Sequence, residues 1–388
     1  MEKGRRCTSN KVYLAFAGFV VAGVLMIAVI GYLAALDKRE ALPPFEEMHA
    51  PSRQLLNCTH LVDRFIFEGL HRMGVPQEGI LFLSVVPAQK DDYRWDFSVI
   101  EIRIPRNYDL LEACEEIRTR ISQMGMPAQT TVDKRSRNEV ICNVYCNGLN
   151  THRLKLTFEA TKRSYPALSP KIAIIIDDLG YDRDLAKAFI NLDFPLTLSV
   201  LPFTPYTRSI AQGANKKGRE VMLHLPMEPR TYPRTNPGDG VLLVSMEKDM
   251  ILRVMDRDLT QIPFVAGVNN HMGSRFTEDE EKMLIVLTEL KRRGLYFVDS
   301  KTSRNSVASN LAEQIQIRAA TRDIFLDNDL SASALTIQMD RLLNLARHRG
   351  HAIGIGHPHQ ETLGLLNRYR TILNNEADMV PVSRLVSH

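Results

Sequence analysis

Two adjacent carboxylates, Asp177 and Asp178, end the aliphatic run "KIAIIIDDLG". In a closed pocket, like charges this close both stay ionised only where a cation or a hydrogen-bond donor compensates one of them. Further along, His224 stands in "VMLHLPMEP", Asn269, Asn270 and His271 in "GVNNHMGSR", Asp299 in "FVDS", Asp327 in "FLDND", and His357 and His359 in "GIGHPHQ". Carboxylates and imidazoles are the side chains that bind divalent metals and move protons. One aspartate of the pair can ligate an ion while the other faces its water as general base, the division that metal-assisted hydrolysis requires. Each residue taken singly has an ordinary reading: an Asp caps a helix or shapes a turn, and a His is a hydrogen-bonded structural residue. Their recurrence at one kind of position favours a shared site.

That position is the end of an apolar run. The strand candidates are "KIAIIIDD", "PLTLSVLP", "REVMLHLP", "PFVAGVNNH", "LYFVDS", "RDIFLDN", "HAIGIGH" and "MVPVSRLV". Helical patterns separate most of them, and two, "DEEKMLIVLTELKRRG" and "SASALTIQMDRLLNLARHRG", close on glycine as helices often do. Near-continuous apolar strands alternating with helices predict a parallel sheet covered on both faces. Over residues 171–388 the pattern predicts an α/β fold, an irregular (β/α)7–8 barrel, with a doubly wound open sheet as the alternative. Both folds place chemistry at the C-terminal ends of their strands, where these residues fall.

In order and spacing, "IAIIIDDLG", "VMLHLPMEP", "NNHMGSRFT", "FVDSKT", "RDIFLDN" and "IGHPH" resemble the divergent polysaccharide deacetylases, a branch of the NodB-like carbohydrate esterase fold. The resemblance runs from about Lys171 to the C-terminus. It implies that Asp177 is the catalytic base, that Asp178 is a metal ligand, and that His357 protonates the leaving amine. The ordinary family takes two further ligands from an HxxxH motif. Here the stretch reads "HLPME", so His224 matches the first histidine and Glu228 stands at the second. His271 is then the candidate for the third ligand, around a divalent metal for which zinc fits best. Glu228, Asn270, Arg275, Asp299, Asp327 and His359 are expected in substrate contact or in support of the ligands. The implied reaction is attack of a polarised water on an acetyl group of a cell-envelope glycan. The altered motif leaves an alternative, a catalytically weak or inactive glycan-binding or scaffolding protein. An unrelated barrel metallohydrolase is a third reading, but such sites commonly take an HxH pair from their first strand, and this first strand offers aspartates.

Residues 52–160 read differently: helix, strand, strand, then the same again, predicting a small α+β domain with an antiparallel sheet. It carries no catalytic constellation, and binding an envelope protein is its expected role. "TKRSYPALSPK" marks the linker, 161–170. At the other end, residues 12–36 are uncharged over a length of about 37 Å as a helix, enough to cross a bilayer. Lys3, Arg5, Arg6 and Lys11 precede that stretch in the basic tail 1–11, which puts the N-terminus in the cytoplasm and the rest outside the inner membrane. The stretch exceeds an ordinary signal-peptide core, so an uncleaved anchor is favoured over a cleaved leader. Residues 37–51, with paired prolines, read as a stalk.

Four cysteines lie in the part expected to be exported: Cys58, Cys114, Cys142 and Cys146. On a strand Cys142 and Cys146 sit about 13 Å apart, too far to bridge each other, so any disulfide runs from them to Cys58 or Cys114. Buried free thiols are the alternative. Charge is close to balance, 49 Lys+Arg against 45 Asp+Glu in 388 residues, and gives no footprint for nucleic acid.

Overall fold

The computed structural model describes residues 53–66, 70, 74–76, 79–90, 93–125, 127–158 and 169–387. The expected tail, anchor and stalk lie outside the described residues, as does most of the linker. Among the described residues no helix is long and apolar enough to cross a membrane.

The small domain comprises α1 (Arg53–Arg64), β1 (Ile80–Lys90), β2 (Tyr93–Ile104), α2 (Leu110–Ser122), β3 (Ala128–Ser136), β4 (Glu139–Cys146) and β5 (Leu149–Phe158). Asp109 caps α2 by accepting from the backbone N–H groups of Leu111 and Glu112. Asn147 and Gly148, both at positive φ, turn β4 into β5, the dipeptide chemistry of a tight hairpin. The sheet order is β1-β2-β5-β4-β3. It is not wholly antiparallel as expected, because β2 and β5 pair in parallel. The helix α2 returns the chain so that β3 starts in the direction of β2, and two hairpins later β5 has that direction again. β3, "AQTTVDKRS", escaped the sequence reading because it lacks an apolar face. A disulfide joins Cys58 on α1 to Cys146 at the end of β4, while Cys114 and Cys142 are buried free thiols.

The second half is an open barrel of parallel strands. In chain order its elements are β6 (Lys171–Leu179), α3 (Arg183–Ile190), β7 (Thr197–Val200), α4 (Thr207–Lys216), β8 (Glu220–Met227), α5 (Lys248–Gln261), β9 (Val265–Met272), α6 (Glu280–Arg292), β10 (Tyr296–Asp299), α7 (Ala308–Ile315), β11 (Ala319–Thr321), β12 (Ile324–Phe325), α8 (Ala332–Arg349), β13 (His351–Gly356), α9 (Gln360–Glu376) and β14 (Asp378–Met379). The order across the sheet is β11-β10-β9-β8-β7-β6-β13-β12, with β14 against the start of β6. The edge strands β11 and β12 do not pair, yet only Arg322 and Asp323 separate them in sequence. The Arg322 N–H donates to the Asp299 carbonyl on one side of the gap and the Asp323 N–H to the Ile353 carbonyl on the other. The ring is therefore closed by covalent chain where hydrogen bonding stops. The expected last strand, "MVPVSRLV", shrinks to Asp378–Met379, and residues 382–384 beyond Pro381 form a short turn of 3₁₀ helix.

Alternation along the strands sets which side chains enter the barrel. Ala173, Ile175, Met222, Val298, Ile353 and Ile355 belong to one buried cluster, inside the ring. Ile172, Ile174, Ile176, Leu223, Val268 and Phe297 belong to the larger cluster under the helices. That larger core continues into the small domain without a break. The contact runs through α8, where the Phe82 N–H donates to Asn344 Oδ1 at 2.8 Å and Arg341 pairs with Asp63.

Candidate metal and catalytic site

Strand parity carries most of the site. Extending the inward set by two residues gives Asp177 after Ile175, His224 after Met222, Asp327 after Phe325 and His357 after Ile355. On β9 the inward positions are those not shared with Val268, and they include Asn269 and His271. Asp178 breaks the rule, since its parity is that of Ile176. Two local features turn it back: the β6–β7 register shifts between Ile176 and Leu179, and Asp178 has φ of 53°. A bulge re-aims a side chain, and aspartate tolerates the left-handed region better than most residues. Both carboxylates thereby reach one mouth.

There Asp178 Oδ1 lies 2.9 Å from His224 Nε2 and 2.9 Å from His271 Nδ1. The three are buried, and their ligating atoms all fall within 4.8 Å of one another. Both Asp178 oxygens and both His271 nitrogens are buried without an aligned hydrogen bond. Orphaned buried groups of this kind are costly, and here they converge as ligands around a common point do. Burial pushes the Asp178 carboxyl up, but the His271 and His224 rings outweigh it and hold the group far below the usual carboxylate range. The donor set fits a divalent ion.

Asn269 organises the next layer. Its Nδ2 donates to both oxygens of Asp177 at 2.9 Å, which fixes the amide so that Oδ1 faces His224 Nδ1, also at 2.9 Å. The His224 proton is then on Nδ1 and the Nε2 lone pair is available to a metal. Ser199 on β7 donates to the same Oδ1 at 2.5 Å. Asp177 itself is raised above the ordinary range, chiefly by burial, and its Oδ2 lies 3.7 Å from His224 Nε2. The His357 ring is near enough to act on it electrostatically.

His357 is held from behind. Asp327 Oδ1 lies 2.8 Å from its Nδ1, Oδ2 accepts from the His357 backbone N–H at 2.6 Å, and the Thr362 hydroxyl donates to Oδ2 at 2.5 Å. Burial raises Asp327, but His357 and these donors outweigh it, so the carboxylate stays ionised. Phe325 stacks on the ring with 5.9 Å between centroids.

The remaining sequence candidates divide. His359, at the start of α9, sits beside His357 with ring centroids 6.4 Å apart. Asn270 braces the ends of β9 and β10: its Oδ1 accepts from the Ser300 N–H and its Nδ2 donates to the Met272 carbonyl. Glu228 and Arg275 are not joined to the three converging ligands. Glu228 Oε2 accepts from the Val244 N–H, Oε1 pairs with Arg275 at 2.7 Å, and together they tie three loops at the rim. Asp299 has the outward parity of Phe297 and accepts from the Lys301 N–H, a turn residue that burial raises above its usual range. Asn269 stood among the strand-end residues in the sequence without an assigned role, and Ser199, Ser300 and Thr362 were not among the candidates. Inward parity alone would have selected Asn269.

The open parallel barrel thus brings a buried aspartate and two histidines together at its strand ends, in a group that could hold a metal ion. The profile of the family described as divergent polysaccharide deacetylase matches residues 174–386, and the chain belongs to that family. It is 34% identical over 224 residues to the uncharacterized protein YibQ of Escherichia coli, covering 58% of this chain and 70% of that one. An uncharacterized Haemophilus influenzae protein is 31% identical over 222 residues, covering 57% and 79%. Among solved structures, that of an uncharacterized Agrobacterium tumefaciens protein superposes with a TM-score of 0.55 at 27% identity, over 58% of this chain and 92% of the other.

Proposed function

We propose that this chain is a metal-dependent carbohydrate deacetylase that removes acetyl groups from a cell-envelope glycan. In this reading residues 12–36 anchor it in the inner membrane and the barrel works on the outer side. The observation that carries the reading is the meeting of Asp178, His224 and His271 with Asp177 at one mouth. Asp178, His224 and His271 would hold the ion, and one carboxylate with two imidazoles suits zinc. A bound ion of this kind activates a water and polarises the acetyl carbonyl. Asp177 takes the proton from the attacking water, and the burial that raises its pKa makes it the stronger base. The Asn269 amide holds that carboxylate in place. His357, with Nδ1 engaged by Asp327, presents Nε2 to the departing nitrogen and donates its proton there. Asp327 stabilises the imidazolium that this role needs. The Cys58–Cys146 disulfide supports an oxidising compartment.

Elemental analysis of the full chain in detergent, reconstituted with zinc, tests the reading beside an acetate-release assay on N-acetylated oligosaccharides. About one ion per chain is expected in wild type and in Asp177→Asn, and none in His224→Ala or His271→Ala. Asp177→Asn should lower acetate release by roughly 10²–10⁴-fold with the metal retained. Wild-type protein that takes up no metal sinks the proposal.

A further inference from the structure

A second concavity lies on the small-domain side of the barrel's strand ends. Its volume is about 430 Å³, and Val86, Pro87, Ala88, Trp95, Phe97 and Asn150 line it together with Lys301 and Arg304. The small domain contributes apolar and aromatic surface from β1 and β2, and the barrel contributes two cations. Trp95 is fixed in orientation, because its indole N–H donates to the Asn150 carbonyl at 2.8 Å. Among the described residues, Lys301 and Arg304 form no salt bridge.

The cations stand on the loop that follows β10, and that loop is tied to the metal-site strands. Ser300 accepts from Asn269 Nδ2 at 3.2 Å, and its N–H donates to Asn270. Lys301 comes next, at φ of 50°. The Ser300 carbonyl accepts from Arg322 Nε at 2.8 Å, and the Arg322 guanidinium lies 3.5 Å over the Phe325 ring that stacks on His357. One set of contacts therefore positions both the candidate metal site and the charged wall of the concavity.

We propose that this concavity is a saccharide subsite for an acidic sugar, one bearing a carboxylate, in the chain whose acetyl group reaches the metal site. Aromatic faces pack against the C–H faces of sugar rings, and here they line one concavity with two cations that form no salt bridge among the described residues. A guanidinium with a neighbouring ammonium matches a carboxylate in charge and, through Arg304, in geometry. A volume near 430 Å³ lies in the range of small-molecule sites. The inference rests on the glycan deacetylase reading for the identity of the chain that enters, and the small domain thereby becomes part of substrate selection.

Trp95 is the single tryptophan of the chain, so tryptophan emission, excited selectively over tyrosine, reports on this place alone. The full chain in detergent is titrated with a galacturonic acid tetrasaccharide and, separately, with the neutral N-acetylglucosamine tetrasaccharide, in wild type and in Lys301→Asn and Arg304→Gln variants. Saturable change in Trp95 emission with the acidic probe is expected, at least tenfold weaker with the neutral one and at least tenfold weaker in either variant. Unchanged emission in wild type, equal affinity for both probes, or variants that bind as wild type does would each overturn the subsite. The same titration on His271→Ala protein separates the two proposals. Binding there with no metal uptake by wild type leaves the subsite standing and removes the deacetylase reading. Metal uptake and acetate release without a Trp95 response do the reverse.

Discussion

At the scale of single residues, the least conspicuous member of the site does the most positioning. Asn269 touches no expected substrate, yet it fixes the tautomer of His224 and the orientation of Asp177 through one amide. Replacing it by alanine removes both contacts and leaves Ser199 facing a gap. Asn269→Ala is expected to weaken zinc binding by roughly 10–100-fold, the usual consequence of losing a partner behind a metal ligand. Competition with a chelating dye measures it, and zinc affinity equal to wild type would show that His224 needs no such support. The types of the ligands were legible in the sequence because Asp and His recur together at several strand ends, which separately placed caps have no reason to do. The work of Asn269 was not, since its meaning depends on Ser199, 70 residues away, and on the carboxylate of another strand. Glu228 shows the opposite case. Its place in "HLPME" invited a role near the metal, whereas the structure spends both its oxygens on Val244 and Arg275.

At the scale of elements, the strand-to-loop turns decide whether the ligands meet. Three strands that deliver site or bracing residues turn through positive φ at or just beyond their ends: Asp178 on β6, Met272 on β9 and Lys301 after β10. Gly180 completes the first turn at φ of 154°, and a Cβ built there would lie 2.0 Å from Thr204 Oγ1. Thr204 cannot retreat freely, because its hydroxyl and backbone N–H both bond to Thr207. Gly180→Ala should therefore cost about 2–4 kcal/mol of stability and displace Asp178 from the histidines. Urea melts and zinc uptake read the two effects, and an alanine variant with unchanged values of both would mean that the turn is not what brings Asp178 inward. The sequence disclosed the apolar strands and their order of ligands. It did not disclose the bulge, because a ladder shift between β6 and β7 has no signature in either strand alone. The edge strand β11 was missed for a related reason: Ala319–Thr321 is too short to show a period.

At the scale of the whole molecule, the sequence suggested two domains joined by a linker, and the structure shows one continuous core across them. The joint is polar at its centre. Asp63 of α1 accepts from His152 of β5 and pairs with Arg341 of α8, which also donates to Ser98 of β2. These groups are almost wholly buried, so each charge depends on the others. Burial pushes Asp63 up, but Arg341 and then His152 outweigh it and bring the carboxyl down to about 2 from 3.8. A carboxyl depressed on folding contributes stability that is fully present above pH 3.8 and is lost as the pH falls through 2, here on the order of 2 kcal/mol. Asp63→Ala strands the Arg341 charge and should cost about 3–5 kcal/mol at neutral pH. It should also uncouple the halves. In wild type, Trp95 emission from the small domain and far-ultraviolet dichroism from all the helices should report one urea transition, since the shared core makes unfolding cooperative. In Asp63→Ala the Trp95 transition should move to lower urea than the barrel's. Two separate transitions in wild type would instead mean that the joint does not couple the domains. The subsite proposed between them would then need a bound saccharide to hold it together.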